Sequence, residues 1–170
     1  MTLTISQLNQ FGQAEFVRVV GPVFEHSPWI SKMTFAKKPF ADFENLHRTL
    51  CETVKNSDKE KQLALIRGHP DLVGKFALAG QLTKESTNEQ ASAGLNKLSP
   101  AEIDLFQKQN TAYKKKFGFP FVICARLNKI MAILAGFETR LKNSREQEIK
   151  TALEEIFKIA ELRLRDLIPN

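Results

Sequence analysis

Cysteine is scarce in this chain, with two among 170 residues, Cys51 and Cys124, and no CxxC pair. That excludes a disulfide-stapled scaffold and a thiolate metal cluster, and two isolated thiols in apolar surroundings read as inert buried side chains of a reducing compartment. Glycine and proline are few, at 8 and 7, with no Ser/Gly tract, internal repeat or low-complexity stretch to mark a linker. No apolar run approaches the ~20 residues that a membrane span needs. The opening MTLTISQLNQFGQAEF lacks a basic start followed by an apolar block, and the closing LRDLIPN carries no common retention or peroxisomal address. A soluble cytoplasmic protein is expected.

What is present is ordinary for a globular domain: 42% hydrophobic residues, 26% charged, and thirteen Phe against one Tyr and one Trp. A chain of this length can bury roughly 70% of its unfolded surface in one core. The net charge of +6 and pI near 9.4 raise nucleic acid as a partner. The lysines, however, are spread along the chain, and the densest run, Lys114-Lys115-Lys116, closes a helix where cations meet the negative dipole end. No recognition helix rich in outward Arg, Asn and Gln is visible, so neither nucleic acid nor membrane is an expected partner.

Helix signals recur from end to end. Ser57 with Glu60, Ser99 with Glu102 and Ser144 with Gln147 have capping-box spacing, and Pro100 stands at a first helical position. Gly68 and Gly118 stand as C-terminal stops. The patterns predict helices near 6–20, 28–36, 42–56, 58–67, 84–95, 100–117, 126–142 and 145–168. Phe119–Ala125 has a strand-like composition, but Pro120 makes it an extended entry segment. The expected fold is all-α, a helical bundle of about eight helices forming one domain over 1–170.

Arg163 interrupts the apolar stripe of the last helix, Ile149, Ala152, Leu153, Ile156, Ile159, Ala160, Leu164 and Leu167, whereas Arg165 points roughly the other way. A guanidinium aimed at a core needs an acid or an anionic ligand, because burying it alone costs several kcal/mol or more. Of three histidines, His26 and His47 read as surface or packing residues. His47 and Cys51, four apart, could share a helical face but lack a third metal ligand. His69 stands between Gly68 and Pro70, and the proline pushes it out of helical backbone, so its imidazole projects from a fixed turn suited to proton transfer near neutral pH. The run Glu85–Gln90 reads either as a capping box, Ser86 with Glu89, or as a hydroxyl, carboxylate and amide gathered at a helix start; the match to the capping rule is complete.

These segments together resemble a known family. Gly68-His69-Pro70-Asp71-Leu72, then Leu82-Thr83-Lys84-Glu85-Ser86-Thr87-Asn88-Glu89-Gln90 with Gly94-Leu95, then Asn110-Thr111-Ala112-Tyr113, Lys116–Cys124, Arg140-Leu141-Lys142-Asn143 and Arg163-Leu164 look, in order, like the signature of the OHCU decarboxylases, where OHCU is 2-oxo-4-hydroxy-4-carboxy-5-ureidoimidazoline, a labile product of urate breakdown. Val73 stands where alanine is common, and Ala125-Arg126 is a variable spot. The resemblance implies an all-α homodimeric enzyme that forms (S)-allantoin from that small molecule. It implies catalytic His69 and Glu89, with Pro70, Ser86, Gln90, Arg163 and the segment Phe121, Val122, Ile123, Cys124 and Ala125 around the ligand. A ring C=N beside the departing carboxylate can take up its electrons, so no cofactor or metal is expected. A basic helical nucleic-acid-binding domain, a helical interaction module and an enzyme acting on a related ureidoimidazoline or hydroxyisourate are the alternatives, the first without a visible recognition helix and the second weakened by the joint presence of His69, Glu89 and Arg163.

Overall fold

The structure is a computed structural model that describes residues 3–169, apart from the Phe76 side chain. Among the described residues it is helical with no strand, in ten α-helical segments of which eight have eight residues or more. They group into two compact units, one of residues 3–68 and 157–169, the other of 69–156.

The first unit holds α1 (Ile5–Gln10), α2 (Gln13–Val20), α3 (Pro28–Phe35), α4 (Phe43–Lys55) and α5 (Lys59–Arg67). The helix expected over 6–20 is two helices, because Phe11 turns extended and Gly12 becomes the N-cap of α2. Thr4 and Gln7 close a capping box on α1. At α5 the cap is Asp58 rather than Ser57: the Asp58 carboxylate accepts from Lys61 N–H at 2.8 Å, and the Ser57 hydroxyl turns back to Val54 C=O. An aspartate one residue later reaches the same orphan amides and adds charge at the positive dipole end. Leu8, Phe16, Val20, Ile30, Leu46, Leu50 and Val54 are fully buried, with the Phe16 ring tilted against Phe35 and stacked on Phe40. Burial pushes the Cys51 thiol up to about 12, which leaves it protonated and unreactive. Its neighbour His47 sits 3.4 Å from the sulfur and meets Phe157 C=O, so the two share a face without forming a metal site.

The second unit holds α6 (Lys75–Leu78), α7 (Lys84–Ser92), α8 (Pro100–Phe117), α9 (Ile130–Arg140) and the first part of α10 (Arg145–Leu167). Ser99 and Glu102 form the expected capping box, Ser144 and Gln147 form theirs, and Gly118 ends α8 with φ +79°, a conformation that costs glycine little. α9 starts later than the expected 126, since residues 125–127 make a 3₁₀ turn and Asn128 is extended, its amide donating to Cys124 C=O. The core is aromatic. Phe121 and Phe137 stack at 3.8 Å, and Tyr113 meets Phe121 edge-on at 5.2 Å. No helix among the described residues is long and apolar enough to cross a membrane.

Candidate active site

His69 opens the second unit, 8% exposed, in a bend that leads through Pro70 into a loop tied down from two helices. From α7, Gln90 Oε1 accepts from Val73 N–H at 3.1 Å while its amide nitrogen reaches Asp71 C=O at 3.4 Å. From α8, Asn110 Nδ2 donates to Leu72 C=O at 2.7 Å, and Lys114 pairs with Asp71 at 2.6 Å. Val73 sits at φ +53°, a left-handed conformation that a β-branched residue pays for in steric strain, and its N–H is held there by Gln90. Gly74 allows the loop its tightness, because an added Cβ would lie 2.6 Å from Asp71 Cβ.

On α7 the capping reading of Ser86 gives way. Thr83 is the N-cap, accepting from Ser86 N–H at 3.2 Å, which places Ser86 inside the helix with its side chain buried. Thr83 lies three residues before Ser86, so the capping signal was real but shifted by one helical turn. Ser86 and Gln90 lie four apart on one buried face, with the partly exposed Glu89 beside them. Gly94, at φ +84°, turns the chain so that Leu95 N–H closes onto Gln90 C=O. α7 packs against the 3₁₀ turn at Ala125–Leu127, and Lys129 donates to Ser92 C=O at its end.

The segment from Phe121 to Cys124 forms neither helix nor strand, with Cys124 extended, and Ala125 begins the 3₁₀ turn. It is held by side chains. Arg140 Nη1 donates to Val122 C=O at 2.6 Å, and Cys124 N–H donates to Glu155 at 2.8 Å. Arg140 in turn donates through Nε to Glu148 at 2.9 Å, and Glu148, with no exposed surface, also accepts from the Tyr113 hydroxyl and from Asn143. Burial, then the hydrogen bond to Glu148, pushes the Tyr113 phenol well above its usual range, so it serves only as a neutral donor. Gly136 lets α9 lie close, since a Cβ there would come within 3.3 Å of the Phe121 ring.

A family model, OHCU decarboxylase, matches residues 9–165. The chain belongs to the OHCU decarboxylase family. It is 42% identical over 165 residues to a 2-oxo-4-hydroxy-4-carboxy-5-ureidoimidazoline decarboxylase of Halalkalicoccus jeotgali, covering 97% of this chain and 92% of that protein. Among solved structures it is similar to an OHCU decarboxylase crystallised in the presence of (S)-allantoin, with TM-score 0.71 and 25% identity over 87% of this chain and 96% of that one. It is also similar to an (S)-allantoin synthase, with TM-score 0.77 and 27% identity; that match covers 98% of this chain and 54% of the other, so the chain spans about half the length of that protein.

Within this family member, His69, Pro70, Ser86, Glu89, Gln90 and residues 121–125 all belong to the second unit, and Arg163 belongs to the first. There Arg163 answers the question its position raised. Its Nη1 lies 2.8 Å from Glu25 Oε2 and 3.3 Å from Pro22 C=O, with both charged side chains buried. Glu25 escaped the sequence reading because it stands in a short irregular stretch, followed by His26 at φ +47°, with no periodicity to say that it faces inward. Arg165, by contrast, is partly exposed, pairs with Glu161 and lies over the Phe43 ring. Arg163→Lys should cost about 1–3 kcal/mol of stability, since the ammonium on a shorter stem draws back from the Glu25 carboxylate and Pro22 C=O that Nη1 meets. Urea unfolding measures it; an unchanged midpoint would show that Glu25 needs no guanidinium.

Proposed function

We propose that this chain decarboxylates OHCU to (S)-allantoin, the last step of urate conversion to allantoin, with His69 and Glu89 as its catalytic pair. The observation that carries the reading is His69 itself: a buried imidazole on a strained loop that Gln90, Asn110 and Lys114 hold at Val73, Leu72 and Asp71. Such bracing suits a group whose task is a directed proton transfer.

The reaction asks little else of the protein. When the bond from the ring carbon to the carboxylate breaks, CO2 leaves, its electron pair forms a double bond to the neighbouring ring carbon, and the nitrogen of the former C=N takes up a proton from solvent. The hydroxyl on the same carbon then gives up its proton as that carbon becomes a carbonyl, and a proton returns to the neighbouring ring carbon. His69 takes the hydroxyl proton, and Glu89 holds the charge and orientation of the imidazole. Delivery of the returning proton from one face sets the (S) configuration. No cofactor or metal enters this scheme. Ser86 and Pro70 line the ligand, and Gln90 contributes both by its remaining hydrogen-bonding capacity and by fixing the His69 loop. Arg163 supplies positive charge for an anionic or carbonyl group, with Glu25 orienting it. We further propose a cytoplasmic homodimer with this small molecule as its partner.

The test couples urate oxidation and hydroxyisourate hydrolysis to this protein and follows circular dichroism in the allantoin band. One enantiomer should appear faster than the spontaneous background. Racemic product at the background rate would refute the assignment.

A further inference from the structure

Among the described residues two that are not glycine stand at positive φ, His26 and Val73. Val73 is the β-branched one, and it is 2% exposed. Its neighbour Gly74, which could take a left-handed conformation at little cost, has an ordinary φ of −81°. What Gly74 supplies is space, since a Cβ there would lie 2.6 Å from Asp71 Cβ. The left-handed step at φ +53° thus falls on a residue type that resists it, four positions after His69.

Such strain persists only where the surroundings over-determine the backbone, and it gathers where geometry serves a function. One side-chain amide brackets this step. Gln90 accepts from Val73 N–H through Oε1 at 3.1 Å and reaches Asp71 C=O through Nε2 at 3.4 Å, while Asn110 holds Leu72 C=O between them at 2.7 Å. Rotation of Val73 toward the usual negative φ would swing the stretch from His69 to Leu72 relative to α6, which starts two residues later. Without the Gln90 acceptor, a buried N–H loses its partner in a conformation that valine disfavours, and both effects push toward that rotation.

We infer that Val73 and Gln90 form a positioning pair for His69: the left-handed backbone of Val73, locked by the Gln90 amide, aims the imidazole, so Gln90 acts on the chemical step through the loop as well as from beside the ligand. The effect on rate rests on the proposed role of His69, but the aim of its ring can be read without turnover. Glycine takes a left-handed φ without strain, so Val73→Gly should relieve the loop of its need for Gln90. The test is a double-mutant cycle of Gln90→Leu and Val73→Gly in the full chain, with kcat and KM measured on freshly generated OHCU. Gln90→Leu should cost about tenfold more in kcat with Val73 present than in the Val73→Gly background, whereas a rise in KM from lost ligand contact should be the same in both.

The ¹H–¹³C NMR signal of the His69 ring follows the same cycle with no substrate present. Gln90→Leu should shift it clearly when Val73 is present and little in the Val73→Gly background. The Val73 amide should exchange slowly in the wild type and at least about tenfold faster in Gln90→Leu. Additive effects in either cycle would confine Gln90 to the ligand and overturn the inference. So would a fast-exchanging Val73 amide in the wild type, a result that requires no variant to fold. Absence of OHCU turnover by a wild-type protein whose His69 signal still follows the cycle would sink the enzymatic assignment and leave the positioning pair in place.

Discussion

His69→Asn should lower turnover of freshly generated OHCU by about 10²–10⁴-fold, the usual contribution of a positioned general acid or base, while helix content and unfolding midpoint stay near those of the wild type. The structural reason for expecting a separation is that the loop has several supports besides the imidazole. Its backbone is held at Asp71, Leu72 and Val73 by Gln90 and Asn110, and at the Asp71 side chain by Lys114. Asparagine keeps polarity but has no group that titrates near neutral pH. The rate of CO2 release and the enantiomeric excess of allantoin should fall together, because the same proton inventory governs both. A rate within a fewfold of wild type would remove His69 from the chemistry and reduce Gly68-His69-Pro70 to a turn.

The second large effect falls on stability. Glu148→Ala should cost about 3–5 kcal/mol, the range for removing one partner of a buried ion pair, against a total that is only 5–15 kcal/mol for most domains. Glu148 has no exposed surface and accepts from Tyr113, Arg140 and Asn143, so its loss strands a buried guanidinium and two further donors at once. Glu148→Gln retains an acceptor and the volume, and should lose less. Denaturant unfolding measures both, and a loss below about 1 kcal/mol for the alanine variant would mean that Arg140 is satisfied without Glu148. In a double-mutant cycle with Tyr113→Phe the effects should be strongly non-additive, because the two side chains share one hydrogen bond.

Glu148 also marks a place where the reading of the chain stopped short. It lies one helical turn before Ala152, on the same stripe that drew attention to Arg163. A charge on an apolar face needs a partner there as well, and Glu148 meets the buried Arg140. Ser86 shows a different limit. Ser86 with Glu89 has the capping-box spacing, whereas Thr83 caps by its hydroxyl alone with Ser86 at the third position, and only the backbone shows that Ser86 already lies inside the helix. At Asp58 and Gly12 the errors were of the same local kind, a cap misplaced by one residue and a helix break taken as continuous.

The all-α class, the absence of a strand behind Pro120 among the described residues, the caps at Ser99 and Ser144, the left-handed stop at Gly118 and the inward face of α10 follow from the sequence by itself, because each rests on residues within a turn or two of one another. The ordered motifs likewise carried the family without any coordinates, and the match over 9–165 agrees. What only the tertiary structure decided is pairing at long range: Glu25 with Arg163 across 138 residues, Asn110 with the His69 loop across 38, Glu155 with Cys124 across 31 and Arg140 with Val122 across 18. Periodicity reports that a side chain turns inward. Which partner it finds there depends on chain segments brought together by burial of apolar surface, a force without direction or address, and so the site's supports became visible only in the folded molecule.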